Sequence, residues 1–352
     1  MEGKAIILHV VGARPQFIKL APVARAFTEL QLPFKVLHTG QHYDYTMSDL
    51  HFSSLGLKAP DFYLGIGSDT HGRQTAKMLQ GIEDVLLREN PRMVLVYGDT
   101  NSTLAGALSA VKLSIKVGHV EAGVRSYDRR MPEEINRVVT DHVSDHHFCP
   151  TPNALDILRK EGIEGTLTGD VMYDALLQVC REELSNPLSG KYLLVTIHRA
   201  ENTDNPQRFL SVWEALKCIS QQSEVVFPVH PRTKKIFASE LSNPPAGIRI
   251  IEPVSYLTML AMIRDAKCII TDSGGVQKEA FLLGCPCVTV RDTTEWPETV
   301  HTGANCLVEA LPEHITNAVI KMMDKGIKKV HNPFGDGQAS LKIAGFIRDH
   351  YF

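Results

Sequence analysis

The sequence predicts an α/β protein made of two doubly wound, Rossmann-like domains that face a cleft between them. Short apolar runs alternate with amphipathic stretches, which is typical of a parallel sheet with helices on both faces. A turn-rich hexapeptide at residues 185–190 interrupts this alternation, which then starts again. The length of 352 residues is sufficient for two domains. We therefore expect domains over residues 1–170 and 171–339, with a final helix at 340–352 that packs back on the first domain.

The predicted elements follow from the period of the apolar residues. In the first half, strands are predicted at residues 6–11, 34–39, 93–97, 116–120 and 146–150, and helices at 17–30, 73–89, 102–112, 132–144 and 153–161. In the second half, strands are predicted at residues 192–198, 225–230, 248–253, 267–272 and 286–291. Both halves therefore have the same kind of architecture.

The composition is that of a soluble globular protein, with 43% hydrophobic and 22% charged residues. The net charge of -3, with both signs interleaved, predicts no nucleic-acid partner and no membrane partner. The N-terminus has no signal-peptide pattern, so a cytoplasmic location is expected. The seven cysteines form no CxxC pair, which favours reduced thiols and predicts neither a metal nor a redox cofactor.

Polar residues follow many of the predicted strands. Ligands bind beyond the carboxyl ends of the strands in open parallel sheets, so these residues are candidates for a site. They are Arg14, His42, Asp99, Glu121, His198, His230 and the run at 272–275.

The run TDSGGVQKEAFLLG at residues 271–284 is the strongest phosphate signal. It predicts a strand that ends in two glycines where a helix begins, and the N–H groups and dipole of a helix start suit a diphosphate. Glu279 lies one turn further along and could reach a ribose. The alternative is an ordinary strand-to-helix turn, with Asp272 or Ser273 as the N-cap.

Arg14 and Lys19 in GARPQFIK form a second candidate anion site, with Arg14 in a loop and Lys19 in the first turns of a helix. Surface exposure of both is the alternative. His198 could hold a leaving diphosphate or could be a loop histidine bonded to the backbone, and His230 has the same two interpretations.

Three carboxylates are acid-base candidates, namely Asp99, Glu121 and Glu133. Glu133 follows Pro132 at a predicted helix start, where the helix dipole alone favours a carboxylate, and Glu134 could be a capping partner. Four arginines lie near these acids and could pair with them or bind an acidic substrate group: Arg125, Arg129, Arg130 and Arg137.

Metal-like i,i+4 spacing occurs in the predicted helix at 132–144 and just beyond it. The residues are Asp141, His142, Asp145 and His146. A third ligand type is missing from their surroundings in the sequence, so we predict no metal site.

Ten ordered motifs resemble the non-hydrolysing UDP-N-acetylglucosamine 2-epimerase family over nearly the whole chain. They are GARPQFIK, TGQH, YGDTNST, HVEAGVRS, MPEEINR, GDVMYD, TIHRAEN, PVHPR, TDSGGVQKEA and RDTTEWPETV. The resemblance implies a glycosyltransferase-B-like fold and interconversion of UDP-GlcNAc and UDP-ManNAc, usually by a homodimer. It also implies that the nucleotide binds mainly to the C-terminal domain. A further implication is an association with polysaccharide biosynthesis.

The resemblance also implies roles for individual residues. The implied catalytic residues are Arg14, Lys19, Asp99, Glu121, Glu133 and His198. The implied substrate-binding residues include Ser273, Gly274, Gly275 and Glu279 for the phosphates and ribose, and Pro253 and Tyr256 near the uracil. Arg137 matches a further active-site arginine, and the remaining implied substrate-binding residues are His230, Gln41 and His42.

Two departures from the commonest bacterial pattern bear on the substrate and on regulation. The short, basic segment VRSYDRRM at 124–131 resembles the subgroup that acts on UDP-2,3-diacetamido-glucuronic acid, where Arg129 or Arg130 could meet a C6 carboxylate. HRAEN stands where relatives have HRREN, and together with the residues after TGQ this puts allosteric activation by UDP-GlcNAc in doubt. The sequence is also compatible with a UDP-sugar glycosyltransferase, a hydrolysing epimerase and a non-catalytic nucleotide-sugar sensor.

Overall fold

Two sheets, parallel in every described strand pair, organise the protein. The computed structural model describes residues 4–41, 55–180, 184–229, 231–326 and 331–352. The chain divides into two compact units. Unit 1 comprises Met1–Gln178 and Asn332–Phe352, and unit 2 comprises Val179–His331.

The sheet of unit 1 contains seven strands in the described ranges, in the order β3-β2-β1-β4-β5-β6-β7. The strands are β1 (Lys4–Val11), β2 (Phe34–His38), β3 (Phe62–Tyr63), β4 (Pro91–Tyr97), β5 (Lys116–Val120), β6 (His146–Cys149) and β7 (Thr166–Leu167). The helices between them are α1 (Arg14–Glu29), α2 (His71–Glu89), α3 (Asn101–Lys112), α4 (Pro132–Val143), α5 (Pro152–Lys160) and α6 (Val171–Val179). The central strands are apolar on both faces because helices cover both.

The hydrophobic core of unit 1 lies in two layers, one on each face of the sheet. One layer includes Phe27 of α1 and the other includes Met78 of α2. A terminal helix, α15 (Ala339–Tyr351), joins the first layer through Ile343 and Ile347 and packs on α1.

The sheet of unit 2 contains six strands in the described ranges, in the order β10-β9-β8-β11-β12-β13. They are β8 (Tyr192–Thr196), β9 (Glu224–Pro228), β10 (Ile248–Ile251), β11 (Cys268–Thr271), β12 (Cys287–Val290) and β13 (Asn305–Val308). The helices are α7 (Ala200–Thr203), α8 (Pro206–Ser220), α9 (Pro231–Ile236), α10 (Ala238–Ser242), α11 (Tyr256–Asp265), α12 (Gly274–Leu283), α13 (Pro297–His301) and α14 (Pro312–Lys325). Apart from β7, the two sheets have the same strand order relative to the chain.

Helix starts and stops follow the local chemistry of the sequence. Proline opens α4, α5, α8 and α14, where its missing N–H costs no hydrogen bond. Gly284 ends α12 in the left-handed region with φ of 74°. The prediction that Arg14 lies in a loop is wrong: it is the first residue of α1, because Pro15 fits the first turn of a helix.

The described ranges contain no helix with the length and apolar character needed to cross a bilayer.

Candidate active site

Glu121 and Lys19 form a nearly buried ion pair at the carboxyl edge of the unit 1 sheet. Glu121 directly follows β5, and Lys19 lies on the second turn of α1. Lys19 Nζ donates to Glu121 Oε1 at 2.6 Å, and their side chains are only 7% and 8% exposed. The contact fixes the position of the Glu121 carboxylate at this edge of the sheet.

The turn after β4 accommodates this pair only because residue 98 is glycine. A Cβ on Gly98 would lie 2.8 Å from Lys19 Nζ, and Gly98 has φ of 63°. A side chain at this position would therefore displace the ammonium group and strain the backbone.

Glu121 itself has a strained backbone, with φ of 76°. A non-glycine residue in the left-handed region costs about 1–3 kcal/mol and persists only where the surroundings impose it. Two backbone N–H groups, those of Glu121 and Ala122, donate to the carbonyl of Phe148 at 3.1 Å. Two successive N–H groups thus share one acceptor, which interrupts the regular pairing of β5 with β6 at Glu121.

Asp99 follows the adjacent strand β4 and is held by Arg137 of α4. Arg137 donates from Nη2 to Asp99 Oδ2 and from Nη1 to Glu134 Oε2, the latter at 2.6 Å. Asn136 Nδ2 donates to the Asp99 carbonyl at 2.9 Å. The Asp99 side chain remains 29% exposed, so this carboxylate is oriented and still accessible to a ligand.

Glu134 has a larger structural role than the capping partner considered from the sequence. Its carboxylate accepts hydrogen bonds from the Ser126 N–H and hydroxyl and from the Tyr127 N–H, all at 2.9 Å. It therefore connects the 124–131 segment to Arg137. Glu133, in the first turn of the same helix, is partly exposed, as is Arg14 at the start of α1.

The four arginines near the acids have different surroundings. Arg137 binds Asp99, one of the candidate acids. Arg125 pairs instead with Asp141 and Glu161. Arg130 pairs with Asp128 and has a side chain that is 81% exposed, and Arg129 is also exposed. Arg129 and Arg130 thus remain available to solvent on the segment after Glu121.

The four residues with metal-like spacing engage different partners. Asp141 accepts hydrogen bonds from His119 and Arg125, whereas Asp145 pairs with Lys116. His142 Nδ1 bonds the carbonyl of its own helix, and His146 bonds the Tyr351 hydroxyl.

Gln41 is the remaining candidate of unit 1. Its side-chain oxygen accepts hydrogen bonds from the Ser102 N–H at 3.0 Å and from the Ser102 hydroxyl at 2.7 Å. His42 lies outside the described residues.

The Gly-rich turn of unit 2 places the start of α12 directly after β11. Ser273 occupies the N-cap position, and within the described residues its side chain makes no cap hydrogen bond. Asp272, the other N-cap considered, turns away and accepts from the N–H groups of His198 at 3.1 Å and Arg199 at 3.0 Å. The helix start therefore has the chemistry of an anion site.

His198 follows β8 and stands beside the same turn. Its Nδ1 lies 3.5 Å from Asp272 Oδ1, and its side chain is 39% exposed. Desolvation and the neighbouring Arg199 lower the pKa of His198, and Asp272 opposes this effect. A lowered pKa means that the neutral imidazole dominates at neutral pH.

Sequence reasoning did not single out Arg291, Glu295 and Trp296, which surround the start of α12. A Cβ on Gly274 would lie 3.5 Å from Glu295 Oε2 and 3.5 Å from Trp296 Nε1. Arg291 Nη1 donates to Glu295 Oε2 at 2.6 Å, and Arg291 is almost fully buried. Burial alone would lower the pKa of Arg291, but Glu295, together with Glu201 and Asp272, more than offsets burial and raises the pKa. Arg291 follows a strand, so the rule of polar residues at strand ends could have found it.

The other candidates of unit 2 differ in exposure. Gly274 and Glu279 are buried, whereas Ser273 and Gly275 are partly exposed. Tyr256 opens α11 and is buried, whereas Pro253 is exposed. His230 lies outside the described residues.

Comparisons with known proteins agree with this arrangement. A family model described as UDP-N-acetylglucosamine 2-epimerase matches residues 26–348. The chain is 47% identical over 351 residues to a UDP-2,3-diacetamido-2,3-dideoxy-D-glucuronate 2-epimerase of Pseudomonas aeruginosa, covering 97% of this chain and 99% of that one. It is 46% identical over 357 residues to a UDP-N-acetylglucosamine 2-epimerase of Methanococcus maripaludis, covering 96% and 97%.

Solved structures show the same likeness. The UDP-GlcNAc 2-epimerase of Methanocaldococcus jannaschii, solved with UDP-GlcNAc and UDP, has a TM-score of 0.88 and 44% identity over 98% of this chain and 99% of that one. The predicted fold class, the predicted family and the prediction of a UDP-sugar 2-epimerase are confirmed. The chain belongs to the UDP-N-acetylglucosamine 2-epimerase family.

Proposed function

We infer that the protein is a non-hydrolysing 2-epimerase that interconverts UDP-GlcNAc and UDP-ManNAc. One observation carries this inference: two carboxylates, Glu121 and Asp99, follow adjacent strands, and a separate cation holds each of them. Paired, oriented carboxylates suit a reaction in which protons are removed from and returned to carbon. We take UDP-GlcNAc as the sugar nucleotide because the relatives are named for this substrate.

The reaction requires departure of UDP before C2 loses its proton. C2–H of an N-acetyl sugar has no adjacent carbonyl, so direct deprotonation is too slow. When the C1–O bond breaks, its electron pair leaves with UDP, and positive character at C1 acidifies C2–H. A carboxylate then takes the proton, and the C–H electrons form the C1=C2 bond of a 2-acetamidoglucal. Protonation of C2 from the opposite face and return of UDP to C1 complete the inversion.

Unit 1 supplies the acid-base groups in this proposal. Inversion needs a group on each face of the sugar, and the candidates are Asp99, Glu121 and Glu133. Arg14 and Lys19 stabilise the negative charge that develops on the departing diphosphate. Because Lys19 also donates to Glu121, the same ammonium group takes part in leaving-group stabilisation and contacts a proton-transfer residue.

Unit 2 supplies the nucleotide site in this proposal. Ser273, Gly274 and Gly275 at the start of α12 bind the diphosphate, and Glu279 binds the ribose. Pro253 and Tyr256 flank the uracil. Neutral His198 donates a hydrogen bond to the diphosphate, consistent with the direction of its pKa shift.

A second substrate is favoured by a specific observation. The segment at 124–131 carries Arg129 and Arg130 in exposed positions, and a relative at 47% identity is named for a diacetamido-glucuronate substrate. With this substrate, one of these arginines would bind the C6 carboxylate of the sugar.

We further propose that the enzyme acts in the cytoplasm as a homodimer and serves polysaccharide biosynthesis. The family to which the chain belongs supports these points. Sedimentation at several concentrations tests the dimer.

Proton NMR of the enzyme with UDP-GlcNAc in heavy water tests the function. We expect deuterium at C2 in a mixture of UDP-GlcNAc and UDP-ManNAc, without net release of UDP. Exchange with only the diacetamido-uronate would select the second substrate, and stoichiometric release of UDP would identify a hydrolysing enzyme. Binding without exchange of either sugar would identify a nucleotide-sugar sensor and contradict the proposal.

A further inference from the structure

The buried carboxylate of Asp141 is bonded to both sides of Glu121. Asp141 Oδ1 lies 2.6 Å from His119 Nδ1, two residues before Glu121. Asp141 Oδ2 accepts from the Gly123 N–H at 3.1 Å, two residues after Glu121. Arg125 Nη1 donates to the same oxygen at 2.6 Å. One side chain of α4 thus holds three residues around a backbone position that is strained.

The hydrogen bonds of His119 identify its charge. Its Nδ1 faces the Asp141 carboxylate, and its Nε2 lies 2.7 Å from the carbonyl oxygen of Gly98. Both partners are acceptors, and a neutral imidazole has only one N–H to donate. His119 therefore satisfies both acceptors only as an imidazolium.

Asp141 is the counter-ion that this charge needs. Burial alone would raise the pKa of Asp141, but His119 and Arg125 outweigh burial and hold the pKa below its ordinary value. The pair is fully buried, since both side chains are 0% exposed. A buried imidazolium without this carboxylate would be strongly disfavoured.

The charges that face the pair come from several elements. Arg125, in the segment after Glu121, is bound bidentately by Glu161 at the end of α5, at 2.9 and 2.7 Å. His147 of β6 contacts the Asp141 carbonyl through Nε2 at 2.7 Å, and burial lowers the pKa of His147, so this ring is neutral. On the ligand side, the Gly98 turn adjoins Lys19 and Glu121. The cluster of His119, Asp141, Arg125 and Glu161 therefore balances its own charge.

The Gly98 carbonyl connects the Asp141–His119 pair to Asp99, the second candidate acid. Gly98 precedes Asp99, and its N–H donates to the Val120 carbonyl at 2.9 Å. The His119 imidazolium fixes the carbonyl of the same residue. Both acids thus depend on one buried ion pair that touches neither of their carboxylates.

We propose that the Asp141–His119 ion pair is a positioning device of the reaction, which holds Glu121 in its strained conformation and sets the turn that carries Asp99. Its kinetic consequence rests on the proposed epimerase function. The charge state of His119 does not depend on that function.

The kinetic experiment compares Asp141→Asn with Asp145→Asn. Asp145 is a matched control, because its carboxylate also bonds β5, through the Val117 N–H at 2.9 Å, but at the opposite end of the strand. We expect Asp141→Asn to lower kcat roughly 100-fold, with KM and UDP affinity nearly unchanged, because acid-base groups displaced by about 1 Å lose this much rate. Asp145→Asn keeps the wild-type kcat.

A second variant tests whether the two residues act as one unit. His119→Gln alone should lower kcat about as much as Asp141→Asn, and the double variant should lose little more than either.

The charge of His119 is measured directly by ¹⁵N NMR of histidine-labelled wild-type protein, with His119→Gln providing the assignment. We expect both ring nitrogens of His119 to carry protons in the folded wild type, because each faces an acceptor. One unprotonated ring nitrogen would overturn the proposal, even if Asp141→Asn did not fold. If wild type exchanges C2–H and Asp141→Asn turns over like Asp145→Asn, the positioning role fails. A wild type without exchange refutes the proposed function instead and leaves the NMR result to decide the ion pair.

Discussion

The carboxyl edges of the two sheets have the same topology but different chemistry. At the edge of unit 1, Glu121 is bonded to Lys19, and Asp99 to Arg137. At the edge of unit 2, Asp272 is bonded to backbone N–H groups, and a Gly-rich helix start and a neutral histidine remain for a ligand. The shared scaffold provides strand ends in both units, and in the proposed function the side chains placed there decide between proton transfer and anion binding.

The largest expected effect is the loss of kcat when the acids of unit 1 are substituted. Asp99→Asn and Glu121→Gln each remove a group that exchanges protons, so kcat should fall about 100- to 10,000-fold. UDP affinity should change little if unit 2 holds the nucleotide. C2 deuterium exchange and calorimetry of UDP binding measure the two properties separately. Near-normal turnover of either variant would show that its acid-base assignment is wrong.

A smaller effect, on UDP affinity instead of kcat, is expected from Gly274→Ala in unit 2. The new methyl group would meet its neighbours at 3.5 Å or more, which is ordinary contact, so the fold should tolerate it. It would, however, project beside the anion site, and we expect the Kd of UDP to rise about tenfold. Gly345→Ala is the control, because, apart from the neighbouring residues and backbone of its own helix, no described atom lies within 4 Å of its Cβ. Equal UDP affinity of the two variants would argue against a diphosphate at this turn.

The polar residues at the strand ends were predictable because apolar runs in parallel sheets are easy to recognise. Asp99 and Glu121 follow predicted strands, His198 ends one, and all three stand at the sheet edges. The two-residue strands β3 and β7 were missed, since so short a segment has no measurable period, and the four-residue strand β13 was also missed.

The partners of these residues were not predictable in the same way. The i,i+4 spacing of Asp141 resembled that of a metal ligand, although no metal site was predicted, and it gave no indication of the residues that Asp141 binds. These lie 22 and 16 positions away. Spacing reports neighbours on one helix, and only the fold brings distant segments together. The pairing of Lys19 with Glu121, 102 positions apart, has the same origin.

The loss of stability as pH falls should also differ between the units. In unit 1, burial lowers the pKa of His9 to about 3. Burial also lowers the pKa values of His146 and His147. In unit 2, a lowered pKa is found for one described histidine, His198. Because the unfolded chain binds a proton at about pH 6.5 and the folded His9 does not, stability is lost as pH falls through this value. The loss from His9 is about 1.4 kcal/mol per pH unit between about pH 6 and pH 3.

Hydrogen exchange followed by unit measures this difference. Between about pH 6.5 and pH 5, protection should fall more steeply in unit 1, and His9→Asn should flatten the slope there. The slope is the appropriate readout, because the substitution also removes packing against Phe27 and so lowers stability at every pH. Equal slopes for wild type and variant would mean that His9 is charged in the folded protein.

The smallest expected effect concerns Arg130, whose exposed side chain pairs with Asp128. An exposed ion pair contributes little to stability, so Arg130→Ala should leave the thermal midpoint nearly unchanged. If UDP-GlcNAc is the substrate, kcat/KM should also be unchanged, because that sugar has no carboxylate. If the diacetamido-uronate is the substrate and Arg130 is the residue that binds its C6 carboxylate, its kcat/KM should fall about tenfold through loss of a charge-assisted hydrogen bond. Arg129→Ala tests the neighbouring position, and an unchanged kcat/KM for the uronate in both variants would remove the 124–131 segment from substrate selection.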